Sequence, residues 1–286
     1  MDAVTRGWTN GFVGMLIFSG SLPATRMAVA ALDPLFVTLA RATVAGCLGG
    51  ALLLALRERR PRPADIGPLL ITATGVVVGF PLLTALALRH ITSAHSLVFV
   101  GLLPLSTALF GVLRGGERPR PAFWLCSGLG SALVVAFALT QGGTATLAGD
   151  LLMLAAIAVC GLGYAEGAKL SRSLGGWQVI SWALVLSLPV MAPLMVVVAP
   201  SSWHGVDPAS WIALAYVSLF SMLIGFVFWY RGLATGGIAA VGQLQLLQPF
   251  FGMAIAAVLL NEQVSWLMIA VVAGVICCVA GAKRFA

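Results

Sequence analysis

Charge is scarce in this chain: 9% of its 286 residues are charged, and only nine are acidic. A soluble domain of this size needs a far more polar surface, so an aqueous globular fold is excluded and lipid is the expected solvent. No stretch is left over for a soluble domain. Paired cysteine ligands are also missing: Cys47, Cys126, Cys160, Cys277 and Cys278 sit inside hydrophobic runs without zinc-site spacing and read as packing thiols, so no metal is expected. The chain contains no HExxH, no GxSxG, no paired aspartates for a prenyl diphosphate and no Walker A loop. An embedded enzyme and direct ATP hydrolysis are therefore disfavoured, and neither catalytic residues nor cofactors are expected. No carboxylate is expected at mid-membrane, where a pump for cationic drugs would carry one.

What is present is hydrophobic sequence, 60% of the residues. At about 20 residues per span, the length accommodates roughly ten helices. Hydropathy predicts spans near 8–30, 34–56, 66–88, 93–114, 122–140, 150–170, 177–199, 211–233, 236–260 and 265–282. The first leads directly into the next and is read as a retained helix, not a signal peptide. The net charge of +7 does not point to nucleic acid, because 13 of the 16 cations lie in alternate loops: Arg6, Arg57, Arg59, Arg60, Arg62, Arg114, Arg118, Arg120, Lys169, Arg172, Arg231, Lys283 and Arg284. By the positive-inside rule these loops and both termini are cytoplasmic, which requires an even number of spans.

The sequence also repeats itself. LPLSTALFGVLRGGE, ending at Glu117, aligns with QPFFGMAIAAVLLNE, ending at Glu262, with Pro104 and Pro249 in register. Gly20 and Arg26 have weaker counterparts in Gly163 and Lys169. The unit is five spans, residues 1–145 and 146–286, and an odd number forces the second copy to enter the bilayer inverted. The expected fold is thus all-α and polytopic, with ten transmembrane helices as two inverted five-helix repeats. Such repeats suit alternating access. The mid-span prolines either break their helices beside a cavity or simply kink them.

Pro104 with Glu117, Pro249 with Glu262, Arg41 in the second span, LRHITSA from Leu88 to Ala94 and Arg26 closing the first span together resemble the EamA family of the drug/metabolite transporter superfamily. The resemblance covers essentially the whole chain. It implies a secondary transporter in the bacterial inner membrane, and the ten-span members are most similar to exporters of amino acids, aromatic ones included. A multidrug or other metabolite exporter of the same superfamily is the alternative. Proton coupling, the direction of transport and the oligomeric state stay open.

Ionisable groups in spans cost about 2.5 to 3.5 kcal/mol on insertion scales and usually face a cavity or partner. Arg26 with Glu262, and Lys169 with Glu117, are expected to form two charge pairs closing opposite gates; the alternative is that they snorkel to water. Arg41 is expected to brace the scaffold through carbonyls. Glu166 and Lys169, three apart, would neutralise one another, and His95 is a candidate for coupling or a structural histidine. Substrate ligands are sought among polar and aromatic mid-span groups: Phe80, His95, Phe99, Tyr164, Trp229, Gln243, Gln245 and Gln248. Glutamine amides supply donors and an acceptor for a zwitterion without a buried charge.

Overall fold

The computed structural model describes residues 2–87, 90, 91, 96, 99–140, 146–260 and 266–286, with the backbone alone at 22, 26, 85, 253 and 256–260. Among these, eight helices are long and apolar enough to cross a membrane: Ala3–Val29, Pro34–Ala55, Pro63–Thr84, Pro121–Thr140, Leu147–Leu174, Gly176–Val197, Pro208–Gly236 and Trp266–Phe285. The expected fourth span contributes a shorter helix, Leu103–Gly115, and the ninth is divided into Ile238–Gly242, a 3-10 stretch Gln243–Leu247 and Gln248–Leu260.

In chain order the α-helices are α1 (Ala3–Ser19), α2 (Ser21–Val29), α3 (Pro34–Ala55), α4 (Pro63–Thr72), α5 (Phe80–Ala87), α6 (Leu103–Gly115) and α7 (Pro121–Thr140). They continue as α8 (Leu147–Leu174), α9 (Gly176–Val197), α10 (Pro208–Tyr216), α11 (Gly225–Gly236), α12 (Ile238–Gly242), α13 (Gln248–Leu260) and α14 (Trp266–Phe285). Their starts are set locally. Asp33 Oδ1 accepts from the Leu35 and Phe36 N–H groups at 2.8 and 3.1 Å, with Pro34 opening α3. Asp207 and Thr146 cap α10 and α8 in the same way, because a short side-chain oxygen satisfies donors the first turn leaves free. Pro104 and Pro249 are the second residues of α6 and α13, where a missing N–H costs nothing, so the helices restart at the prolines.

Besides the 3-10 stretch, three departures from α geometry shape the interior. Between α1 and α2, the Tyr216 hydroxyl donates to the Ile17 carbonyl at 2.9 Å, and Gly20 leaves room for that ring: a Cβ there would lie 2.9 Å from Tyr216 Cζ. The other two are π-helical stretches, Ala73–Gly79 joining α4 to α5 and Val217–Ile224 joining α10 to α11. Such wide turns are frequent at functional sites.

Packing follows a pattern that maps onto itself when the two halves are exchanged. α1 lies on α11 as α8 lies on α4 and α5; α6 lies on α8 as α13 lies on α1; α3 lies on α9, and α7 on α14. Backbones come close at α1 and α11, where a Cβ on Gly232 would sit 2.5 Å from Gly11 N, the small-residue contact that packs helices in lipid. Lys283 Nζ lies 4.7 Å from the centre of the Trp8 ring, joining the first helix to the last. The outer surface exposes Leu54, Leu113, Leu125, Leu139, Val197 and Ile212, as a lipid-facing surface would.

Candidate substrate site

Three of the ligands sought among mid-span residues converge in the core. Tyr164 of α8 packs against Trp229 of α11 with ring centroids 5.6 Å apart, and Phe226 and Phe18 close the cluster at 6.1 Å from Tyr164 and 6.0 Å from Trp229 respectively. Tyr230 packs at a tilt against Phe226, ring centroids 5.4 Å apart, and donates its hydroxyl to the Gly163 carbonyl at 3.4 Å. The Tyr164 hydroxyl neighbours Gln245, Cys160 and Tyr230. Gln245, 3% exposed, makes no hydrogen bond of full geometry, its amide reaching only toward the Tyr164 hydroxyl, and the fully buried Trp229 indole N–H is unpartnered. Buried polar groups are nearly always satisfied, so two such groups beside one tyrosine single this cluster out as a candidate for binding a polar ligand.

Beside this cluster stands Arg41, in α3. Its Nη2 donates to the Ser221 hydroxyl at 3.1 Å, and Ser21 also donates to Ser221, at 2.7 Å. Ser221 belongs to the π-helical stretch Val217–Ile224. Arg41 Nε is buried without a partner, and the guanidinium interacts electrostatically with Tyr164. Among the described residues no carboxylate lies within ion-pair distance of it. The expected brace to backbone carbonyls is replaced by a hydroxyl contact. Depth alone reveals the charge but not what surrounds it.

The other expected ligands lie around this centre or outside the described residues. Phe99 is buried, and Phe80 is half-buried against the same core. Gln243 is fully buried; its Nε2 donates to the Ala239 carbonyl at 3.3 Å and its Oε1 has no partner. Gln248 and Pro249 are half-buried and Pro104 is buried. His95 and Glu262 lie outside the described residues, and Arg26 is described by its backbone alone, within α2.

At one end of the bundle the acidic groups take partners that the spacing did not predict. Gly116, at φ +71, reverses the chain after α6. Glu117 then reaches the start of α12, where Oε1 accepts from Ile238 N–H at 2.6 Å and Oε2 from Ala239 N–H at 2.7 Å. A carboxylate at a helix N-terminus meets both the free donors and the positive end of the dipole. Arg172 adds an ion pair to Glu117 at 3.4 Å. Lys169 is exposed and has no ion pair among the described residues; Arg172, one turn nearer the end of α8, occupies the expected place. Glu166, 1% exposed at its side chain, pairs closely with Arg114 of α6 and not with Lys169. Nearby helices also frame a cleft of about 170 Å³ lined by Ala3, Arg6, Asn10, Arg231 and Thr235. Among the described residues no three His, Cys, Asp or Glu converge on a metal position.

Comparison with known proteins agrees with the twofold organisation. Residues 5–139 and 147–282 each match the EamA-like transporter family. An uncharacterized transporter of Bacillus subtilis (strain 168), YdeK, is 66% identical over 286 residues, covering 100% of both chains. A probable terminal-alkyne amino-acid exporter of Streptantibioticus cattleyicolor is 23% identical over 251 residues, 87% of this chain and 83% of that protein. One solved crystal structure, 22% identical, superposes with a TM-score of 0.83 over 98% of this chain and 99% of its own, a likeness of fold alone. With both halves matched and a relative this similar along its full length, the chain belongs to the EamA-like transporter family.

Proposed function

We propose that this transporter exports amino acids, aromatic ones included, and related small metabolites across the bacterial inner membrane by alternating access. Ten spans form two inverted five-helix repeats, residues 1–145 and 146–286, with both termini cytoplasmic. The location of 13 cations in alternate loops supports that orientation. The contact between Trp8 and Lys283 agrees with an even number of crossings. The exchangeable helix contacts and the paired π-helical stretches support the repeat.

One observation carries the substrate reading. Tyr164, Trp229 and Gln245 from the second half, with Arg41 from the first, gather aromatic surface and unpartnered polar atoms at the contact of the two halves. Relative movement of the halves would expose this cluster to one side and then the other. Gln243, Gln248, Phe80, Phe99 and His95 extend the lining, while Pro104 and Pro249 let the α6 and α13 segments restart beside it. Glu117, seated on α12, acts as the cytoplasmic latch, and Arg26 with Glu262 closes the opposite mouth. The distant relative named as a probable amino-acid exporter points the same way.

The test is counterflow in liposomes holding the purified protein, with radiolabelled L-phenylalanine, L-leucine and L-threonine, in the presence and absence of a pH gradient. Exchange of at least one amino acid, saturable and competed by others, is expected. Competition by organic cations alone would replace this reading with the multidrug one.

A further inference from the structure

We propose that Arg41 is the substrate's carboxylate site, with the Tyr164 hydroxyl, the Trp229 indole N–H and the Gln245 amide completing the set of donors around the bound group. The assignment rests on the amino-acid reading above and narrows it, since the obligatory feature of a ligand becomes its anionic group.

The geometry carries the argument. Arg41 keeps a free Nε and spends one Nη2 bond on Ser221, itself a neutral hydroxyl. A guanidinium presents a planar fork matched to two carboxylate oxygens, and a neutral hydroxyl uses little of that capacity. Tyr164 joins the arginine to the rest of the cluster, because its hydroxyl interacts electrostatically with the guanidinium and neighbours the Gln245 amide while its ring lies on Trp229. Each of these groups can donate a hydrogen bond, and the only fixed charge among them is positive. A cationic ligand would face Arg41 without compensation. An anion would neutralise it and at the same time satisfy the orphaned indole and amide donors. With its charged end at the guanidinium, a ligand's side chain packs on the rings of Tyr164, Trp229, Phe226 and Phe18.

The anchoring of Arg41 gives the binding a structural consequence. Ser221 is held by Ser21 of α2 and lies in the π-helical stretch of the span that also carries Trp229. A carboxylate drawing the guanidinium toward Tyr164 would thus pull on a contact that joins α2, α3 and the Pro208–Gly236 span.

The experiment compares matched ligands in the counterflow assay. L-Phenylalanine, L-leucine and L-threonine are each set against their carboxamides and decarboxylated amines, with 3-phenylpropionate as an acid lacking the ammonium group. In the wild type the acids are expected to compete ten- to a hundredfold better than their carboxamides, the range of about one charge-assisted interaction, and 3-phenylpropionate is expected to compete. Arg41→Gln should erase the preference for acid over carboxamide, and Arg41→Lys should restore part of it. Gln245→Leu serves as a second variant, expected to weaken acids several-fold, and a monodisperse gel-filtration peak certifies each protein as folded. Equal competition by acids and carboxamides in the wild type, or an unchanged preference in folded Arg41→Gln, would overturn the assignment and leave amino-acid transport standing. Transport of the amines alone, or of none of these compounds, would overturn the amino-acid reading and this assignment with it.

Discussion

Glu166 and Arg41 both carry charge into the helical bundle, one from each half, and the protein provides for them in opposite ways. Glu166, 1% exposed at its side chain, is matched by Arg114. Arg41 is given one serine hydroxyl, a tyrosine nearby and a free Nε. A paired charge keeps the fold in register, whereas an unpaired one stores interaction energy for something that arrives later. The contrast separates a structural ion pair from a recognition site without reference to where either lies in the sequence.

Truncating the exposed partner of the pair should produce the largest effect. Arg114→Ala leaves the Glu166 carboxylate buried and unpaired, which costs about 3–5 kcal/mol for a fully buried pair. Because the Arg114 side chain is 47% exposed, water recovers part of this and roughly 2 kcal/mol is the expected loss. Glu166→Gln should cost less than about 1 kcal/mol, since Arg114 can turn to solvent. Arg41→Gln should also stay within about 1 kcal/mol, because it removes an uncompensated charge and one bond to a hydroxyl. Thermal unfolding of the detergent-purified proteins ranks the three. An Arg41→Gln penalty as large as that of Arg114→Ala would make Arg41 a brace and dissolve the contrast.

Glu117 sharpens the comparison, because its partners belong to the other half and not to its own helix. Removing a side-chain cap costs about 0.5–2 kcal/mol, and Glu117→Ala frees two amide donors of α12 together with Arg172. A loss of one to two kcal/mol raises the population of an opened state by roughly 5- to 30-fold. Cys160 supplies the reporter, being buried beside Tyr164. With Cys47, Cys126, Cys277 and Cys278 replaced by alanine, alkylation of Cys160 by a small maleimide should accelerate by a factor in that range. An unchanged rate would confine Glu117 to local capping.

Much of this architecture is legible in the sequence, and the residues that escape it share a reason. Apolar runs give the eight spans because hydrocarbon thickness fixes their length. Tyr164, Trp229 and Gln245 are found by asking which polar or aromatic groups sit mid-span. The π-helical stretches 73–79 and 217–224 are invisible, since one extra residue in a turn leaves hydropathy unchanged. The break at Gly20 depends on Tyr216, 196 positions away, whose hydroxyl takes the Ile17 carbonyl. Spacing suggested Lys169 for both Glu117 and Glu166, yet each carboxylate is met by an arginine, Arg172 or Arg114, whose reach only the packed helices determine. Local chemistry is written along the chain; the identity of partners brought from another helix is not.

The weakest charge in the comparison is Asp207, a carboxylate at the bundle surface whose partners are all local. The Ser210 hydroxyl, followed by backbone N–H groups including that of Ser210, holds its carboxyl below the ordinary 3.8. A depressed folded-state value means that the contribution to stability is present at neutral pH and above 3.8, and disappears as pH falls through the lowered value. Asp207→Asn keeps a competent helix cap and removes the titration, so it should differ slightly from the wild type at pH 7. That difference in unfolding temperature should close progressively below pH 3.8. A gap that persists in acid would assign the effect to shape at the start of α10. Its closing would show how little a charge contributes where water can replace every partner, the opposite limit from Glu166.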